Sequence, residues 1–266
     1  MRSLLGIQSI DAQVLSHEAF TQDAMARHSL RVVNWNIAKN NRSPIWQTEL
    51  AAILSQYRPD LLCLQEVSLD APQPQSFTLQ SMGWHLAPNF VHRRQQQIFG
   101  VLTASKVQQR RCHSLQSHHC EPLLNTPKAA LITEYPLAQS EQTLLVANVH
   151  GINFVSTRKF QAQLQQLEAG LIHHSGPLLL SGDFNTWNPS RMQQLWTLGQ
   201  RLKLQQVGFQ PDCQRRLKRF LRSQPLDHIF YRGLSVVTAN TRVLSTAASD
   251  HPPMCVEFTL NSRCST

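Results

Sequence analysis

Nothing in these 266 residues is apolar for long enough to span a membrane, and the first 20, MRSLLGIQSIDAQVLSHEAF, place Asp11, His17 and Glu18 where a secretory leader needs an unbroken apolar run. The chain is therefore expected to stay in the cytoplasm, without stable membrane insertion. No CxxC pair occurs among the six cysteines at 63, 112, 120, 213, 255 and 264. Cys63 and Cys255 fall inside apolar runs, where a thiol serves as a small hydrophobe, so the set reads as reduced and structural. The group Cys112, His113, His118, His119 and Cys120 offers ligand-type atoms but matches no zinc spacing, and reads as a loop with spare side chains. Repeats and long Gly/Ser/Pro linkers are missing too, so the expectation is one domain over residues 30–262 behind a leader segment at 1–29. Acids are scarce, 16 Asp and Glu against 25 Lys and Arg, for a formal charge of +9. Anionic partners such as nucleic acid or acidic headgroups are favoured, and a merely solvated basic surface is the plain alternative.

What is present is material for a core: hydrophobic residues make up 41% of the chain, with five Trp and eleven Phe. LRVVNWNI (30–37) reads as a strand and DLLCLQEV (60–67) as a strand buried on both faces. Between them Ser43, Pro44, Trp46, Leu50, Ile53, Leu54 and Tyr57 have the spacing of a helix that Pro59 stops. Further strands are expected at 98–104, 128–135, 143–150, 177–183, 227–232, 234–244 and 254–260. Phe160, Leu164, Leu167 and Leu171 mark a second helix, and Met192, Leu195, Trp196 and Leu198 a third. The polar stretches 73–97 and 105–125 read as two long loops beside the functional face. Many strands with a few helices point to two packed sheets flanked by helices.

Several strands end in a group that an apolar run would not carry without a reason: Asn36, Glu66, His150, and Asp183 with Asn185. Asp227 opens another, and Asp250 with His251 lies just before the last. A carboxylate at the end of a buried run is costly alone, so the three runs bearing Glu66, Asp183 and Asp250, with Asp227 as a fourth acid, invite a shared hard cation, Mg²⁺ or Mn²⁺. Singly, each also has a structural explanation, such as a paired core acid, a satisfied buried histidine or a helix cap.

In order, NWNI, LQEV, NVHGIN, SGDFNTW, LDHIFY and SDHPP resemble the signatures of the endonuclease/exonuclease/phosphatase superfamily, with the nearest likeness to its bacterial YafD-like branch in HHSGP, GDFNTW, FYRGL and ASDHPP. The resemblance implies a DNase I-like α/β fold, a four-layered sandwich of two packed mixed sheets flanked by helices, with Mg²⁺-dependent phosphoester hydrolysis at one sheet edge. It implies Glu66 as the main metal carboxylate, with Asn36 and Asp250 in the metal and water shell. Asp183 and Asn185 would orient the attacking water and hold phosphate oxygens. His251 would contact the phosphate and act as base, Asp227 would orient it, and His150 would donate a proton to the leaving oxygen. Two departures stand out. Ala38 replaces the acid of abasic-site nucleases, and no acid lies between Asp70 and Glu121 to partner His150 as in DNase I.

The expected activity is a nuclease acting on nucleic acid. A lipid or inositol phosphate phosphoesterase of the sphingomyelinase-like kind is the alternative, and a non-catalytic phosphate-binding protein a second one. Arg215, Lys218 and Arg219, with Arg222, are expected on one helical face near the site as substrate contacts, with Leu217 and Phe220 or Leu221 packed inward. No protein partner can be inferred.

Overall fold

A computed structural model describes residues 6–10, 13–123, 125–220 and 223–260. In chain order the elements are β1 (Ile7–Ser9), β2 (Leu15–His17), β3 (Leu30–Asn36), α1 (Pro44–Tyr57), β4 (Leu61–Asp70), β5 (Gly83–His92), β6 (Gln97–Ser105) and β7 (Arg111–Cys120). Then come β8 (Pro127–Pro136), β9 (Thr143–His150), α2 (Thr157–Leu171), β10 (Leu178–Asp183), α3 (Pro189–Arg201), β11 (Gln205–Gln206), α4 (Pro211–Arg216), β12 (Asp227–Arg232), β13 (Leu234–Val236), β14 (Arg242–Val243) and β15 (Met254–Leu260).

The strands form two sheets. One runs β1-β5-β6-β4-β3-β15-β13, with β2 also on β5 and β14 on β15; the other runs β11-β12-β10-β9-β8-β7. Period-two alternation sorts the side chains of the central strands. Leu30 and Val32 of β3, Leu61 and Cys63 of β4, Leu144 and Val146 of β9, Leu179 of β10 and Ile229 of β12 meet between the sheets. Their neighbours Val33, Trp35, Leu62 and Leu64 face outward onto Trp46, Leu50 and Ile53 of α1. On the other side Leu145, Ala147, Leu178 and Leu180 meet Phe160, Leu164 and Leu167 of α2 and Met192, Leu195 and Leu198 of α3. Helix, sheet, sheet and helix pair are thus stacked in four layers, as expected. α1 begins at the expected Pro44 and ends on Arg58 in a left-handed conformation, φ 45°, just before Pro59.

Three expectations about local structure are corrected. The stretches 73–97 and 105–125 are not mainly loops, because β5 and β7 run through them. β5 is buried despite its polar surroundings, with Trp84, Leu86, Ala87 and Phe90 in the interior. β7 is the edge strand of its sheet, so a polar composition suits its solvent side, and the Gln166 side chain of α2 bonds the backbone at Gln116 and His118. The Cys112–Cys120 group therefore sits along a strand. The expected strand 234–244 is broken into β13 and β14 by a single 3₁₀ turn at Thr238–Asn240. The expected helical face over 215–222 does not form, since α4 stops at Arg216; Leu221 and Arg222 lie outside the described residues. Ahead of residue 30, Ile7–Ser9 and Leu15–His17 pair with β5, and Met25 is buried in the inter-sheet core. Among the described residues no helix is long and apolar enough to cross a membrane.

Candidate active site

All the polar strand ends expected from the sequence gather at one edge of the sandwich, on both sides of the seam between the sheets. β3 and β4 are parallel and bring Asn36 and Glu66 to that edge from one sheet. β9 and β10 are parallel and bring His150 and Asp183 from the other, with Cα atoms in register; β12 runs antiparallel, so its first residue, Asp227, stands opposite Asp183. Asp250 and His251 arrive in the turn before β15, which pairs with β3.

Local backbone chemistry aims these side chains. By alternation Cys63 and Gln65 face the seam, so Glu66 should face α1. A β-bulge between Leu64 and Val67, with Glu66 at φ 56°, inserts one residue and turns the carboxylate to the cleft, while Val67 and Leu69 resume packing on the α1 side. Gly182, at φ 154°, lies so close to β9 that a Cβ would sit 2.0 Å from the Val149 carbonyl oxygen. Only glycine lets β10 deliver Asp183 that near His150. Asn185, at φ 51°, donates through Nδ2 to the Gly151 carbonyl, 2.9 Å, which tethers the segments that follow β9 and β10.

Asp183 is the hub. Its Oδ2 accepts a 2.9 Å hydrogen bond from Asn36 Nδ2 across the seam and lies 3.8 Å from His150 Nε2 and 3.9 Å from His251 Nε2. Its Oδ1 accepts from the Asn185 N–H, 2.9 Å. His251 Nδ1 meets Asp227 Oδ2 at 2.7 Å. Glu66 Oε1 is 3.8 Å from His150 Nε2, and Oε2 is 3.5 Å from Lys39. Lys218 donates to Asp250 Oδ2 at 2.6 Å.

The charges are strongly coupled. Burial, and then the Asp227 carboxylate, push the Asp183 carboxyl up to about 7 against the pull of His251 and two hydrogen bonds. Burial disfavours the His251 imidazolium, but Asp227, Asp183 and Asp250 outweigh it and lift the ring to about 10. Burial first, with Lys128, His251 and Lys39 behind it, holds His150 well below the ordinary imidazole range, so it is neutral. At Asp250, burial acts to raise the carboxyl, yet the Lys218 hydrogen bond, His251 and the Lys218 charge together bring it below its usual range.

The site lies in a cleft of about 230 Å³ that also contains Lys39, Asn89, Phe90, Phe99, Glu121, Lys128, Asn153, Phe154 and Phe220. A larger groove of about 720 Å³ between α1 and residues 76–82 holds none of the converging acids or histidines, so chemistry, not size, identifies the site. Of the expected substrate cations among the described residues, only Lys218 reaches the cleft. Arg215 is exposed beside Asp212 at 3.7 Å, and Arg219 bonds the Ser223 carbonyl. Sequence reasoning missed Lys39, Lys128, Glu121 and Arg191. Glu121 accepts the Asn153 N–H at 2.8 Å and pairs with Lys128 at 3.5 Å. Arg191 is fully buried under the Gly151–Asn153 turn, bonded to the Ile152 carbonyl and stacked 3.9 Å over Phe160. Arg191 could have been noticed as a cation three residues after an N-cap Asn in the NTWNPSR run. The others carry no local signal.

The donor set suits a hard cation. Among the described residues one group of three acids and histidines has ligand atoms within 4.8 Å of one another, Asp183, Asp227 and His251, and it could hold a metal ion. Asp183 and Asp227 crowd negative charge into a buried space, and Asp227 Oδ1 has no hydrogen-bond partner. Oxygen ligands with excess negative charge are what a divalent cation that keeps part of its water shell needs. Glu66 and Asp250, the expected ligands, border the same cleft and are paired with Lys39 and Lys218.

Residues 33–251 match the Endonuclease/Exonuclease/phosphatase family. Solved structures are similar in fold. The human Nocturnin catalytic domain with bound sulfate is 20% identical with a TM-score of 0.63, covering 90% of this chain and 96% of its own. An endonuclease/exonuclease/phosphatase from Beutenbergia cavernae is 20% identical with a TM-score of 0.65, covering 89% and 72%. ANGEL2, a 2′,3′-cyclic phosphatase in complex with adenosine-2′,3′-vanadate, is 15% identical with a TM-score of 0.65, covering 88% and 96%.

Proposed function

Because the chain belongs to the endonuclease/exonuclease/phosphatase family and is an enzyme that hydrolyses phosphoric esters, we propose that it is a Mg²⁺- or Mn²⁺-dependent phosphodiesterase acting on nucleic acid in the cytoplasm. The observation that carries this reading is the pair of bonds across the seam, Asn36 to Asp183 and Asp227 to His251, beside Glu66 and His150 in one cleft. A divalent cation held by Glu66, with Asn36 and Asp250 in its shell, would neutralise phosphate charge. Asp183, near neutral proton affinity, is suited to orient and deprotonate water; the Asn185 N–H, donating to its Oδ1, and the Asn185 Nδ2 bond to the Gly151 carbonyl steady it. As an imidazolium, His251 would donate from Nε2 to a phosphate oxygen, its ring oriented by Asp227; acting as base requires that proton to leave first, which a nearby dication favours, and Asp227 then fixes the neutral ring's tautomer. Neutral His150 can hydrogen-bond the leaving oxygen.

The +9 charge and three lysines, Lys39, Lys128 and Lys218, on the cleft walls support a polyanionic substrate, and of such substrates we take nucleic acid as the reading to test first. The decisive experiment is a hydrolysis screen in Mg²⁺, Mn²⁺ and EDTA. It would include plasmid, single-stranded DNA and RNA, 2′,3′-cyclic phosphates, sphingomyelin and inositol phosphates. Metal-dependent cleavage of a polynucleotide is expected. Turnover confined to lipid or inositol phosphates would replace the substrate assignment.

A further inference from the structure

The side chains facing the seam change character in steps along each central strand. At one end they are apolar: Val32, Cys63, Val146 and Leu179. At the other end stand Asn36, Glu66, His150 and Asp183. Between these two levels each strand contributes one polar residue, Asn34 of β3, Gln65 of β4, Asn148 of β9 and Ser181 of β10, all completely buried. Each lies one or two residues before the site residue of its own strand.

The four are joined to one another across the seam. Gln65 Nε2 donates to Asn34 Oδ1 at 2.9 Å and to Asn148 Oδ1 at 2.7 Å; Ser181 Oγ donates to Asn34 Oδ1 at 2.8 Å. Asn148 Nδ2 donates to the carbonyls of Leu64, 3.2 Å, and Leu102, 2.9 Å. Leu64 and Leu102 are the last residues of β4 and β6 in register before the bulge that aims Glu66. A side chain of one sheet thus grips the backbone of the other where the metal-site acid is turned.

Apolar contact between sheets is non-directional, and such faces tolerate shifts in packing with little loss. Hydrogen bonds fix distance and angle. The site is divided between the sheets, so any sliding at the seam separates Glu66 from His150 and Asn36 from Asp183. We propose that Asn34, Gln65, Asn148 and Ser181 are positioning residues that lock the two sheets in the register the divided site requires. This rests on the phosphodiesterase reading.

The test compares Gln65→Met, Asn148→Leu and Ser181→Ala with Val32→Ala, which leaves a cavity one level below without touching the polar layer. Thermal midpoint, kcat and KM on a small phosphodiester, and Mn²⁺ affinity by calorimetry are measured for each at a temperature where it is folded. Gln65→Met and Asn148→Leu are expected to lower kcat or Mn²⁺ affinity by roughly 10- to 100-fold, as removal of outer supports does, with KM little changed. Ser181→Ala, which loses one bond and keeps the fold, gives a smaller loss of the same kind. Val32→Ala lowers the thermal midpoint and spares both readouts. Equal kcat losses from Val32→Ala and Gln65→Met at equal loss of midpoint, or wild-type values in both polar variants, overturn the proposal. If the wild type hydrolyses no phosphoester, the functional reading falls on its own, and a crystal structure of Gln65→Met then decides. Unchanged Glu66–His150 and Asn36–Asp183 distances refute the positioning role.

Discussion

Asp227 Oδ2 and His251 Nδ1 stand 2.7 Å apart, and the bond between them joins a residue of one sheet to the turn that enters the other. The Asp227 carboxylate and the His251 ring are therefore expected to act on a substrate as one unit. Asp227→Asn and His251→Ala should each lower kcat by on the order of 100-fold or more, and the double variant should cost little beyond the worse single. Additive losses in the rate of folded enzyme would contradict the pairing.

Metal binding should be visible without turnover. A ligand held only by the native state raises stability by mass action, so millimolar Mg²⁺ should raise the thermal midpoint of the wild type. Glu66→Gln keeps the shape of the bulge and removes the charge. The shift should shrink sharply in that variant, and a full shift there would move the metal elsewhere, with Asp183, Asp227 and His251 the next group to test.

The pH dependence of the metal-free protein has a sign. His251 is raised from 6.5 to about 10, so its stabilising contribution is complete below 6.5 and is lost as pH rises through about 10. His150 and His228 are depressed, so their contributions change below 6.5 and leave the range above 7 untouched. In EDTA, denaturation from pH 7 to 9 should show stability falling, with His251 giving up to about 1.4 kcal/mol per unit, the slope of one proton. Asp183, raised to about 7, adds to the fall near pH 7, and the thiols of Cys63, Cys112 and Cys255, raised by burial to about 12, add towards pH 9. His251→Ala should flatten that slope. A wild-type curve that rises over this range would refute the charge arrangement.

Lys218 and Arg215, close in sequence, should behave differently. Lys218 bonds Asp250 inside the cleft, whereas Arg215 is exposed beside Asp212. Lys218→Ala should slow small diesters and polynucleotides alike. Arg215→Ala should leave small diesters untouched and, if it meets a phosphate, lower the log-log salt slope for polynucleotide binding by about one. Identical profiles for the two variants would mean that the basic run acts as one patch after all.

The legible part of this molecule was the part governed by period and burial. LRVVNWN, LLCLQEV and TLLVANVH announce strands because both faces are covered, and a polar end on such a run is conspicuous. The third helix was legible through Pro189 and its apolar stripe. β7 was hidden because an edge strand needs only one apolar face, and β5 because its polar neighbours diluted Trp84, Leu86 and Phe90. The helical face expected at 215–222 failed for a different reason: Leu217, where α4 ends, turns to ψ 136° and is buried in the core between the sheets, and the Lys218 carbonyl accepts from the Leu226 N–H, so tertiary packing overrides local spacing. Lys39, Lys128 and Glu121 enter the cleft through folding alone. Even Glu66, conspicuous as an acid, owes its direction to a bulge that no pattern of alternation reveals.

The return of the chain at β15 has a consequence for biosynthesis. β3 borders β4 on one side and, on the other, β15, with His251 just ahead of it. A nascent chain that has not yet released residues 251–260 has an open flank beside Asn36 and no imidazole to set against Asp227. The site would thus be complete only once β15 has taken its place beside β3.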